Sequence, residues 1–270
     1  MNNVIQRTIT GSIYTSLIIG SIIIHPLFFA FVTVLINIFA FLEFKKIGDK
    51  LSLSKGFLWI VLNNIFFVFT IVLIYLEIPY SYFLPLLLLL IILLVLPIYQ
   101  QIDNPFSSMQ FSLFGSLYIT LPLVIINLIQ QYSASKGVPI TLALFIVIWT
   151  NDTFAYLSGM AFGKHRLFEK LSPKKSWEGF FGGLVMGIVA ALIFNYFFPE
   201  MGMLFWVLFA VITCISAVFG DFVESLIKRT ANIKDSGSIL PGHGGILDRI
   251  DSLLLTVPVI YIYLFLFNSI

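Results

Sequence analysis

Runs of about twenty predominantly apolar residues, each closed by a short polar or proline-bearing interruption, recur along the whole of this chain. Coiled as a helix, a run of that length matches the hydrocarbon thickness of a bilayer. Nine such stretches are expected, near residues 8–24, 26–44, 57–77, 81–99, 111–130, 138–162, 178–198, 202–226 and 251–269. The fold class that follows is all-α, a polytopic integral membrane bundle of about nine transmembrane helices. His25-Pro26 is either a turn between the first two spans or a kink in one longer helix, which leaves eight spans as the other count. A cleavable signal peptide with Arg7 as its charged region would need a small-residue cleavage pattern before the next apolar run, and none is seen. Charge agrees with a membrane location: Asp, Glu, Lys and Arg make up 10% of the 270 residues, against roughly 25% in soluble domains. The composition argues against a disordered chain and a basic nucleic-acid binder, and the single Cys214 argues against a disulfide scaffold.

The few charges are placed unevenly. With nine spans, one side holds Arg7, Lys45, Lys46, Lys50, Lys55, Lys164, Arg166, Lys170, Lys174, Lys175, Lys228, Arg229, Lys234 and Arg249, and the other Lys136 alone. The positive-inside rule puts the basic loops, and with them the N-terminus, in the cytoplasm. Residues 1–140 read as a hydrophobic transmembrane region with simple loops. Residues 141–270 read as a catalytic transmembrane region with two cytoplasmic loops, 163–177 and 227–250. No internal repeat of the kind common in transporters is visible.

Acids at membrane depth cost about 2.5 kcal/mol or more each, so they mark functional candidates. Asp152 lies in an apolar span, where it either serves a site or packs helices through Asn151 and Thr153. Asp221, Glu224, Ser225 and Lys228 fall at i, i+3, i+4 and i+7 and form one polar stripe on a helix. Glu224 and Lys228 are in the favourable order for an internal ion pair, whereas Asp221 has no basic residue at helical spacing. Asp248 and Asp251 lie one turn apart at the start of the last span.

The segment 231–251, ANIKDSGSILPGHGGILDRID, is the densest in chemistry. Its PGHGG run cannot continue a helix, and Gly244 and Gly245 let backbone N–H groups approach a ligand. Lys228, Arg229, Lys234, His243 and Arg249 surround it as cations, and Asp235, Asp248 and Asp251 as acids. Cations and backbone donors suit a polyphosphate, and closely spaced carboxylates suit the divalent metal that accompanies one. In 163–177, Ser172-Pro173 is read as a helix N-cap and first position that would aim Lys174 and Lys175 from a helix N-terminus. The other reading is that Ser176 caps the next span, with Glu178 in its first turn. Gly179, Gly182, Gly183 and Gly187 form a small-residue face for close helix packing. No G-x-S-x-G elbow, Walker A loop or zinc-spaced His/Cys pair occurs.

Three stretches carry a family resemblance: Ser225 to Arg229 with Lys234 to Gly237 and Leu240 to Asp251; Asn151 to Tyr156 with Gly159; and Leu171 to Gly179. They resemble the pattern of the phosphatidate cytidylyltransferases, or CDP-diacylglycerol synthases, over roughly residues 148–270. Phe154 and Ser176 are mild departures. The resemblance implies a Mg²⁺-dependent reaction of CTP with phosphatidic acid in the cell membrane, by a homodimer that takes no nucleic acid. It implies metal binding by Asp221 and Asp248, with Asp251 and Glu224 next. Lys174, Lys175, Lys228, Arg229 and Arg249 would contact phosphates, His243, Gly244, Gly245 and Ser225 would line the nucleotide site, and Asp152, Lys234 and Asp235 would support it from behind. A related lipid enzyme, such as an archaeal ether-lipid cytidylyltransferase or a prenol kinase, and an ion-coupled transporter are the alternatives.

Overall fold

The computed structural model describes residues 3–53, 58–78, 105–169, 171–239, 242 and 244–268, with scattered positions between 84 and 95. Among these, seven helices are long and apolar enough to cross a membrane, and the chain is a multi-pass membrane protein. The helices are α1 (Asn3–Ile24), α2 (Pro26–Lys50), α3 (Leu58–Tyr75), α4 (Pro105–Gly115), α5 (Leu121–Lys136), α6 (Ile140–Phe162), α7 (Trp177–Phe197), α8 (Met203–Thr230) and α9 (Leu247–Asn268). A π-helical turn, Ser116–Thr120, runs α4 into α5. Eight of the nine expected spans thus appear as helices; the other, 81–99, lies largely outside the described residues. α1 contributes only a shorter apolar stretch, Thr8–Ile24.

At His25 the helix is interrupted. The residue is extended (φ −165°, ψ 138°), its Nδ1 accepts the Leu27 N–H at 3.1 Å, and Pro26 opens α2. Proline at a first helical position gives up an N–H that has no partner there, so the chain restarts rather than bends.

Two compact units form, Met1–Tyr132 with Ala231–Arg249, and Ser133–Thr230 with Ile250–Ile270. The polar segment after α8 therefore groups with the N-terminal helices. In the first unit the core is aromatic at Phe41, Phe44, Trp59 and Phe111, but it is not simply apolar. Buried Asn37 donates to Asn64 at 2.9 Å, Thr120 donates to Asn37 at 3.3 Å, and Asn127 donates to Thr33 at 3.0 Å. These bonds satisfy amides that would otherwise be costly in an apolar interior.

In the second unit α7 lies tightly against α6. A Cβ on Gly183 would come 2.7 Å from both the carbonyl and the side-chain oxygen of Asn151, and one on Gly179 2.7 Å from the Ala155 carbonyl. The expected glycine face is thus the surface that lets two backbones approach. Trp206, Phe205, Phe209 and Tyr263 pack the opposite end of this unit.

The loop before α7 departs from expectation. Ser172–Ser176 is a strand, β2, paired antiparallel with β1 (Arg166–Phe168). Ser172-Pro173 does not start a helix; the cap is Ser176, extended at φ −124°, whose Oγ accepts the Gly179 N–H at 3.1 Å. A small β-ribbon is thus added to the expected all-α architecture.

Candidate functional site

Candidate residues lie in each of the two units. In the first unit, Asp248 occupies the first turn of α9, and its Oδ2 accepts the N–H of Ser236 at 2.9 Å and of Gly245 at 2.8 Å. A carboxylate in a first turn complements the helix dipole, and here it also ties down the preceding loop. Gly244 has φ +84°, a left-handed conformation suited to glycine, and a Cβ there would stand 2.7 Å from Asp248 Oδ2. Gly244 therefore serves, first, the close approach of Asp248, and Gly245 reaches the same carboxylate through its N–H. Lys234, Asp235 and Arg249 are exposed on this segment, and His243 lies outside the described residues.

Glu43 of α2 is the residue that sequence reasoning missed. It is fully buried. Its Oε1 accepts the Ile246 N–H at 3.1 Å, and its Oε2 accepts the Leu247 N–H at 2.9 Å and the Ser236 hydroxyl at 3.2 Å. The signal was present: Glu43 is an acid inside the expected span 26–44, the same criterion that picked out Asp152.

In the second unit, the stripe on α8 is present. Glu224 is buried and ion-paired with Lys228, and Ser225 Oγ donates to Asp221 Oδ1 at 3.3 Å. Asp221 finds its cation off the helix, in Lys175 of β2, whose ammonium also lies 4.9 Å from the centre of the Phe222 ring. Side chains alternate along a strand, so Lys174 is exposed while Lys175 turns to Asp221. The ribbon is held beside α7 by His165, whose Nδ1 lies 2.7 Å from Glu178 Oε1, and by the Trp177 N–H, which donates to the His165 carbonyl at 3.0 Å.

α8 and α9 meet closely at Gly220, where a Cβ would be 2.7 Å from the Asp251 carbonyl. This approach gathers charge: the Asp251 side chain feels Asp221, Asp152 and Lys228. Asp152 itself is 3.4 Å from the Asn151 amide, and Arg229 is exposed in the last turn of α8.

Among the described residues no three His, Cys, Asp or Glu side chains come together closely enough to hold a metal ion. Asp221 and Asp251 in the second unit and Asp248 in the first carry hard oxygen donors of the kind a divalent cation takes.

Fold and site together define a polytopic helical membrane protein with paired carboxylates and cations at its helix ends. The profile of the cytidylyltransferase family matches residues 5–267. The chain belongs to that family. It is similar to the phosphatidate cytidylyltransferase of Haemophilus influenzae, with 39% identity over 170 residues, 60% of this chain and 59% of the relative. The phosphatidate cytidylyltransferase of Staphylococcus epidermidis is 38% identical over 164 residues, 58% of this chain and 62% of the relative. That of Staphylococcus aureus is 46% identical over 133 residues, 48% of this chain and 50% of the relative. These alignments thus span about half to three-fifths of the length of the curated relatives.

Proposed function

We propose that this protein transfers the cytidylyl group of CTP to phosphatidic acid, forming CDP-diacylglycerol and pyrophosphate. The observation that carries the reading is the Lys175–Asp221 pair. A magnesium–nucleotide complex offers a cation to the carboxylate and an anionic phosphate to the ammonium, so the two side chains exchange one partner for another without either charge being left bare. An apolar pair would offer the substrate nothing.

In this reaction an oxygen of the lipid phosphomonoester attacks the α-phosphorus of CTP in line. The new P–O bond forms as the bond to the β-phosphate oxygen breaks, and pyrophosphate leaves with that electron pair. The nucleophile is already anionic, which accounts for the absence of a Ser, Cys or His nucleophile system in the sequence. The protein's share of catalysis is positioning and electrostatic neutralisation.

Asp221 and Asp248 are assigned to the Mg²⁺ ion, with Asp251 as the next ligand. When bound, the metal neutralises charge on the reacting phosphates. Lys174, Lys175, Lys228, Arg229 and Arg249 take the phosphate oxygens, and His243 and Gly244 line the nucleotide. Glu224, buried against Lys228, holds that ammonium in place. Asp152, Lys234 and Asp235 support these groups. The basic loops face the cytoplasm, where CTP is found, and the active species is a homodimer.

The test is the purified protein in detergent with Mg²⁺, labelled CTP and phosphatidic acid. Labelled CDP-lipid is expected from the wild type, and its absence overturns the assignment. Asp221→Asn and Asp248→Asn should each lose about 100-fold or more in rate; normal turnover by either would remove that residue from the metal site. Replacing phosphatidic acid by an ether-linked phosphate or a prenol separates the neighbouring lipid chemistries.

A further inference from the structure

We propose that Glu43 is a positioning residue for the nucleotide site, acting through the 236–248 segment rather than on substrate; this rests on the cytidylyltransferase reading above. Ile246 and Leu247 are at the N-terminus of α9, where backbone N–H groups have no partner within their own helix. The Glu43 carboxylate, carried by a different helix, accepts both of them and reaches across to the Ser236 hydroxyl. A single side chain thus fastens the two ends of a loop ten residues apart in sequence. Asp248 fastens the same two ends through backbone, from Ser236 N–H and Gly245 N–H. The two carboxylates form a double staple, and the one that belongs to the proposed metal site is held in register by the one that does not.

The fit around Glu43 leaves no slack. A Cβ on Gly237 or on Gly245 would collide with its carboxylate, so both glycines are needed for this contact irrespective of any ligand. Glu43 is 0% exposed, which removes it from direct contact with substrate and makes its role one of placement. A carboxylate offers acceptors to three donors in three directions. Glutamine at the same volume has one acceptor oxygen and turns an NH₂ donor towards N–H groups; aspartate is one methylene too short to reach all three.

Glu43→Gln is compared with wild type and with Asp49→Asn, an exposed position on the same helix paired with Lys45. Three readouts are taken on the full chain in detergent: thermal unfolding, the KM for CTP against that for phosphatidic acid, and hydrogen exchange of the peptide covering residues 234–249. For Glu43→Gln we expect the KM for CTP to rise about 10- to 100-fold, the range for a group that orients a ligand-bearing residue without touching the ligand. The KM for phosphatidic acid should stay within about twofold. Exchange of 234–249 should quicken while the other helices stay protected, and Asp49→Asn should match wild type throughout. Wild-type exchange of 234–249 in Glu43→Gln overturns the proposal, whether or not the protein makes CDP-lipid. A wild-type KM for CTP overturns it as well, as does an equal loss on both substrates with a lowered unfolding temperature, which marks a purely structural residue. Absence of CDP-lipid from the wild type overturns the assigned reaction instead, and the exchange measurement still decides the staple.

Discussion

Lys175 and Asp221 meet from different elements, a strand and a helix, with side chains 29% and 31% exposed. That places the pair between two regimes. Fully exposed pairs contribute about 0–1 kcal/mol, and breaking a fully buried one costs about 3–5 kcal/mol. Two unit charges about 4 Å apart at an effective dielectric of about 20 attract by about 4 kcal/mol before desolvation is subtracted. Partial desolvation of both groups removes much of that, so a coupling of about 1–2 kcal/mol is expected from a double-mutant cycle of Lys175→Met and Asp221→Asn. Methionine keeps most of the length of the lysine stem, so Lys175→Met reports loss of the charge that sits on Asp221 and over Phe222, and Lys175→Ala adds the loss of packing. Stability is read from unfolding in detergent and turnover from labelled CTP. Each single variant should lose about 100-fold or more in kcat/KM, and the double variant little more than the worse single, because both act on one bound phosphate–metal unit. Additive losses in activity, or a coupling near zero in stability, would refute the exchange of partners on which the proposed function rests.

Three further outcomes follow from the geometry. Gly183→Ala places a methyl against the backbone carbonyl of Asn151, which must move for it to fit. A loss of about 1–3 kcal/mol in stability is expected, and an unchanged unfolding temperature would mean that α6 and α7 are further apart than described. Ser176→Ala removes the side-chain acceptor at the start of α7, which should cost about 1 kcal/mol and weaken CTP binding through Lys175 next to it; the KM for CTP and the unfolding temperature check both. Removing Mg²⁺ with EDTA should abolish turnover while leaving the unfolding temperature within a few degrees, because an ion bound through one or two carboxylates and the substrate phosphates adds little to the fold. A large drop in stability would point to a structural metal.

The helices were legible because a span of lipid thickness demands a long apolar run, and such runs survive any detail of packing. The break at His25 was half legible: proline marked the position, but only the backbone angles of His25 separate a restart from a kink. Ser172-Pro173 misled because Ser-Pro opens helices and also sits in short edge ribbons, where proline's missing N–H does no harm. The partner of Asp221 was hidden because helical spacing searches only along one helix, whereas Lys175 arrives from a strand 46 residues earlier. The buried amides Asn37 and Asn127 carry no charge and so fell outside a search for acids at depth, and only tertiary structure reveals that they have partners. Glu43 met the criterion of an acid inside an expected span, but its partners lie 193 to 204 residues away in sequence, where no local spacing points.

The β1–β2 ribbon has strands of three and five residues, and an isolated two-stranded ribbon is marginal in water. It persists through attachments near the start of α7: the Ser176 cap, the Trp177 N–H, and His165 on Glu178. Lys175 sits inside that stretch, so opening the ribbon and withdrawing the ammonium from Asp221 are one event. Such an opening breaks a handful of polar contacts and the packing of Phe168 of β1 on Phe222, whose ring centres are 5.4 Å apart, and leaves the helix-to-helix packing in place. The free energy needed to withdraw the cation is therefore that of fraying a short hairpin, well below that of unfolding the bundle.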